Sequence, residues 1–103
     1  MADPMRIRAN EAGGVTTVRV LMSHVMESGL RKDAAGNTIP GHYITTVEAT
    51  HNGKSVLKAD WSGAVSQNPF LLFKFKGAAK GDKVQIKWTD NKGETRADEA
   101  AVA

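Results

Sequence analysis

Along most of the chain apolar and polar residues alternate with a period of two, the spacing of strands with one buried face. The clearest runs lie between Asn68 and Trp88. In the first, Leu71, Phe73 and Phe75 share one face, with Lys74 and Lys76 opposite. In the second, Val84, Ile86 and Trp88 share a face, with Lys83 and Lys87 opposite. The two runs hold Phe70, Phe73, Phe75 and Trp88, four of the chain's six aromatic residues, so the core is expected to be built on them. Before them, Met5, Ile7 and Ala9 alternate with Arg6, Arg8 and Asn10 in a short first strand, and Gly13-Gly14 forms a turn. Val15 to His24 reads as the second strand. Val18, Val20 and Met22 form its apolar face, and Leu21 on the other side implies cover on both faces.

The stretch from Val25 to Gly41 breaks the pattern. Gly29, Gly36, Asn37, Pro40 and Gly41 interrupt it and no helical period replaces it, so it reads as a long loop with a small hairpin turning at Ala35-Gly36-Asn37. Loops of this length in a small domain are often functional. His42 to His51 and Lys54 to Trp61 are strands joined by Asn52-Gly53, a pair suited to the type I′ turn because both central residues need positive φ. Their apolar positions fall on both faces: Tyr43, Val47, Ala49 and Val56 on one, Ile44, Leu57, Ala59 and Trp61 on the other. A bulge or two-sided burial is expected. Pro69 sits at a strand start, where a missing N–H does least harm. Asp90-Asn91-Lys92-Gly93 suits a type I turn closed by glycine, and the Ala-rich Glu94 to Val102 reads as an edge strand. About seven short strands with turn signals every eight to twelve residues predict an all-β fold, an immunoglobulin-like antiparallel β-sandwich forming a single domain over residues 1–103. Trp61 and Trp88 are expected to fill the space between its sheets.

Composition narrows the function. An apolar share of 41% over 103 residues suits one modest folded core. No apolar run approaches the ~20 residues that span a bilayer, and no membrane role is expected. The first residues, Met1 to Arg6, lack the apolar centre of a secretory signal. With no cysteine, disulfides, thiol catalysis and thiolate metal sites are excluded. The net charge of +3 is mildly basic, without the clustered arginine and stacking aromatics of a nucleic-acid binder. Lys74, Lys76, Lys83 and Lys87 read either as solvated strand faces or as a positive surface for an anionic substrate or acidic partner. These two strands need not share a sheet, so the four lysines need not form one patch.

Chemistry-bearing motifs are sparse. Met22, His24 and Met26 would point the same way on a strand, and two thioethers with an imidazole suit Cu(I). The plainer reading leaves Met22 in the core, His24 at the strand end and Met26 in the loop. His42 and His51 lie at opposite ends of one strand, too far apart at ~3.3 Å per residue to share an ion. Ser23 and His24 point to opposite faces and form no nucleophile–base pair. The glycines form no phosphate cradle, so no catalytic residue and no cofactor is expected. The loop Met26, Glu27, Ser28, Gly29, Leu30, Arg31, Lys32, Asp33 mixes apolar and charged side chains as a protein interface does, or is a solvated loop with self-paired charges.

Met26 to Asp33, then Ile39-Pro40, Asn52-Gly53 and Ala64-Val65-Ser66-Gln67-Asn68-Pro69-Phe70 together resemble the SoxZ family of thiosulfate-oxidation carrier subunits. The resemblance extends over essentially the whole chain. It implies an immunoglobulin-like sandwich without catalytic groups that forms a heterodimer with SoxY. Sulfur intermediates ride on the cysteine of SoxY's C-terminal Gly-Gly-Cys-Gly-Gly arm. The pair would visit a c-type cytochrome, a hydrolase and a sulfane dehydrogenase in the periplasm, and this chain would be exported together with SoxY. Met26, Glu27, Arg31, Lys32 and Asp33, with the corner Asn68, Pro69 and Phe70, are the expected partner contacts. The alternative is a small periplasmic copper-handling sandwich using Met22, His24 and Met26. The iron-binding superoxide reductases share the sandwich but need four histidines and a cysteine, and this chain has three histidines and no cysteine.

Overall fold

A computed structural model describes residues 3–103. Seven strands follow one another: β1 (Arg6–Ala12), β2 (Val15–Leu21), β3 (Ile44–His51), β4 (Lys54–Asp60), β5 (Phe70–Lys76), β6 (Lys83–Asp90) and β7 (Thr95–Ala101). They form two antiparallel sheets, β1-β2-β5 and β4-β3-β6-β7, packed as an immunoglobulin-like β-sandwich with β4 beside β3 rather than beside β5. The expected seven strands are present, each ending within a few residues of its predicted bounds.

The alternation explains the layers. Ala9, Thr16, Val18 and Val20 face inward from the three-stranded sheet, and Val47, Ala49, Val84, Ile86 and Trp88 from the four-stranded one, all buried. Burying each valine or isoleucine among them stabilises the fold by roughly 1.5–3 kcal/mol. The core does not rest equally on the two aromatic runs. β6 lies at its centre, whereas Leu71, Phe73 and Phe75 of β5 are only half-buried at its margin. The reason is topological, since β5 is an edge strand and β6 has neighbours on both sides. Trp88 fills the inter-sheet space as expected, and Trp61 packs half-buried against its rim.

The mixed faces of β3 and β4 come from bulges. Register shifts between Ile44 and Thr46, so Ile44, Val47 and Ala49 all reach the core despite their odd spacing. A second shift follows Ala49, where Leu57 pairs with Ala49 and Ser55 with Thr50, leaving Val56 as the extra residue. Asn52 and Gly53 both have positive φ (48° and 85°), as a type I′ turn needs.

β7 is an edge strand of its sheet, as expected, and its tail closes one side of the sandwich. Ala103 N–H donates to Ala9 O (2.8 Å), and Glu11 N–H donates to Ala103 O (2.9 Å). The residues after β2 form a protruding two-stranded arm. Glu27 and His42 exchange backbone bonds (2.6 and 2.8 Å), and Ile39 N–H donates to Arg31 O. Lys32 bridges Thr38, and Asp33 Oδ1 accepts from the Ala35 and Asn37 amides at the turn. The molecule is therefore elongated, 54 × 21 × 20 Å. An eight-residue strand spans only about 26 Å, and the arm supplies much of the remainder.

Candidate functional site

Three segments converge where the arm leaves the sandwich: the end of β2, the 62–69 connector and the β6–β7 turn. After Leu21 the chain stops pairing as a regular strand, but Met22 N–H still donates to Pro69 O (2.9 Å). His24 and Asn68 then lock together. Asn68 N–H donates to His24 O (2.9 Å), and Asn68 Oδ1 accepts from His24 N–H (3.1 Å). Asn68 adopts φ 50°, a left-handed value that asparagine tolerates better than most residues.

At the centre lies a buried carboxylate. Asp90 Oδ1 caps its own turn, accepting from the Lys92 and Glu94 amides (3.0 and 2.9 Å). Asp90 Oδ2 meets His24 Nε2 (3.1 Å) and His42 Nε2 (2.8 Å). Burial pushes the Asp90 carboxyl up, but the His24 and His42 hydrogen bonds and the two turn amides outweigh it and hold the group below the usual carboxylate range. The imidazoles stack edge-on, with centroids 4.7 Å apart, and His24 also meets the Trp88 indole edge-on at 5.1 Å. His24 and Asp90 are buried, while His42 is half-buried beside a cleft of about 420 Å³ that Gln67, Asn68 and Glu94 also line.

His24, His42 and Asp90 each offer a ligand atom within 4.8 Å of the others, and both imidazoles face Asp90 through Nε2, so this is where a divalent cation would be held. The proton arrangement opposes this. Met26 N–H donates to His24 Nδ1 (3.0 Å), so Nδ1 carries no proton and Nε2–H is the donor to Asp90. A metal on Nε2 would force that proton onto Nδ1, against the Met26 amide. The Met22, His24, Met26 copper set fares no better. Both nitrogens of His24 are engaged, Met22 is buried in the core, and the Met26 sulfur accepts from Ile44 N–H (3.4 Å). The cluster is thus a hydrogen-bonded anchor that ties the arm's two roots, at His24 and His42, to the β6–β7 turn.

Gly63 of the connector lies against the arm. A Cβ there would come 2.7 Å from Ser28 Cα, so only glycine permits this approach. Between arm and connector runs a cleft lined by Glu27, Arg31, Gly63, Val65 and Gln67. Glu27 and Arg31 pair along its arm side (2.6 Å), and the Arg31 hydrogen bond lowers the Glu27 pKa.

The expected contact residues are divided in placement. Met26, with φ 47°, and Pro69 are buried and act as supports. Arg31, Lys32 and Asp33 lie along the exposed arm beside Leu30, which is 87% exposed. Phe70 is 60% exposed and lies opposite Leu21 on the outer face of the three-stranded sheet. The four lysines do not form one patch. Lys74 and Lys76 lie on β5 and Lys83 and Lys87 on β6, in different sheets. Sequence reasoning missed the union of His24, His42 and Asp90. Asp90 was legible as a turn residue, but nothing local showed that its second oxygen anchors two histidines 66 and 48 positions away.

The family profile described as "Sulphur oxidation protein SoxZ" matches residues 5–101. No curated protein is significantly similar to the chain. Among solved structures, a hypothetical protein from Pyrococcus horikoshii OT3 superposes with a TM-score of 0.69 at 17% identity, covering 99% of this chain and 89% of that one. A superoxide reductase (neelaredoxin) from Archaeoglobus fulgidus gives 0.57 at 19% identity, covering 97% and 86%. At these identities the two likenesses speak to the fold alone.

Proposed function

The chain belongs to the SoxZ family of sulfur-oxidation proteins, and from that premise we infer that it is the non-catalytic subunit of a sulfur carrier. It pairs with a SoxY subunit in the periplasm, and SoxY's C-terminal cysteine carries the sulfur intermediates between cytochrome, hydrolase and sulfane dehydrogenase. The observation that carries this reading is the family match over nearly the whole chain. The chemistry of the fold is consistent with it. No thiol is present to carry sulfur. All three imidazoles are bonded to carboxylates of the same fold, His24 and His42 to Asp90 and His51 to Asp82 (2.7 Å). Such groups hold elements together rather than wait for a substrate. The arm around Leu30 and the side chain of Phe70 are exposed and available to meet other proteins.

The test is purification of the tagged chain from its native periplasm, with intact-mass analysis of whatever accompanies it. A stoichiometric partner ending in Gly-Gly-Cys-Gly-Gly, with sulfur-containing additions on its cysteine, is the expected result. A chain recovered alone, or one that oxidises thiosulfate unaided, would overturn the reading. Arg31→Ala and Phe70→Ala are expected to weaken assembly or turnover while leaving the thermal unfolding midpoint within a few degrees of wild type.

A further inference from the structure

The two outer faces of the sandwich differ in charge. The outer face of β4-β3-β6-β7 is balanced. Glu48 sits between Lys58 and Lys87 in register, and Asp60, Lys83 and Glu99 complete the charged set. The outer face of β1-β2-β5 carries Arg6, Arg8, Arg19, Lys74 and Lys76 and no carboxylate. None of these five cations forms an ion pair with a described residue.

The basic face also carries an apolar ridge. The cross-strand rows read Arg6–Leu21–Phe70, then Arg8–Arg19–Leu72, then Asn10–Thr17–Lys74. Leu21, Phe70 and Leu72 are thus neighbours, 44, 60 and 48% exposed, and form a contiguous apolar patch rather than scattered exposed side chains. The ridge is held rigidly, since buried Pro69 and the Met22–Pro69 backbone bond fix the chain just before Phe70. A rigid apolar centre with a charged surround is how protein interfaces are organised, and a face with cations alone repels basic partners and steers acidic ones.

We propose that the outer face of β1-β2-β5 is a protein-docking surface for an acidic partner, one that presents apolar side chains to Leu21, Phe70 and Leu72 and carboxylates to Arg6, Arg8 and Arg19. The occupant is taken to be the SoxY subunit, so the inference rests on the pairing reading above and adds which face is used and by what chemistry. It places the decisive contacts on β1, β2 and β5 rather than on the arm.

The test is isothermal titration of the chain with purified SoxY from the same organism at 50 and 500 mM NaCl. Wild type should bind, and more weakly at high salt because surface charges are screened over about 10 Å or less. Arg8→Glu/Arg19→Glu should bind at least tenfold more weakly at low salt, and Leu72→Ser should lose about tenfold at both salts. Lys58→Glu/Lys87→Glu on the opposite face should stay within twofold of wild type. Circular dichroism melts check that each variant is folded, and the two kinds of ridge and charge variant fail independently. Wild-type binding with both β1-β2-β5 variants unaffected would overturn the docking face and leave the pairing standing. Absence of wild-type binding would overturn the pairing and this inference with it. Co-sedimentation of the wild type with phosphatidylglycerol vesicles, lost in Arg8→Glu/Arg19→Glu while SoxY binding is kept, would assign the face to a membrane and overturn the proposal.

Discussion

At the scale of residues, Asp90 has the widest reach. Its carboxylate accepts four hydrogen bonds that join the β6–β7 turn to both roots of the arm. Asp90→Ala would leave those donors without an acceptor, and buried donors are costly to orphan. The expected loss is about 3 kcal/mol in urea unfolding, with faster amide exchange at Lys92 and Glu94. A variant as stable as wild type would show that the anchor is incidental. Acid has a related effect. Asp82 is held below the usual carboxylate range by the Ala79 amide and His51, and Asp98 by the Arg96 guanidinium and the Met5 amide, alongside Asp90. A carboxyl depressed in the folded state contributes stability that is complete above its unfolded value, about 3.9, and is lost as pH falls through the folded value. The contribution of these carboxylates should therefore be complete above about pH 4 and be lost below it, with Asp98→Asn flattening the fall. An unchanged acid limb in that variant would contradict the assignment.

At the scale of elements, the strands were legible because their alternation and turn chemistry agree. Asn52-Gly53 and Asp90 to Gly93 mark two turns, and the inward faces of β2 and β6 follow the period closely. β3 and β4 were blurred because bulges shift the period in mid-strand, which spacing alone reads as two half-faces. Sheet membership was less legible, because period two shows which residues share a face but not which strand lies beside which. That is why the lysines of β5 and β6 could be read together although their strands lie in different sheets. The arm was legible as a glycine-rich interruption, but its attachment was not. Gly63 meets Ser28 across 35 positions, and nothing local in Ser62-Gly63-Ala64 announces a close approach. Gly63→Ala should push the connector off the arm at a cost of about 1–3 kcal/mol and speed proteolysis within residues 30–38. Wild-type proteolysis rates would mean that the contact does not hold the arm.

At the scale of the whole molecule, a small rigid sandwich carries an arm at one end and one basic, ridge-bearing face. Its radius of gyration, 15.5 Å, exceeds the ~13 Å expected of a compact chain of this length, because the arm extends beyond the core. The alternating pattern foretold the sandwich, whereas the candidate site emerges only when β2, the connector and the β6–β7 turn are brought together. The most direct measurement is intact-mass analysis of both subunits after the reconstituted carrier turns over thiosulfate with its partner enzymes. The expected result is sulfur additions confined to the SoxY cysteine, with this chain unchanged at 11.0 kDa. Sulfur bound to this chain, or SoxY loaded and turned over equally well without it, would contradict a supporting role in the carrier.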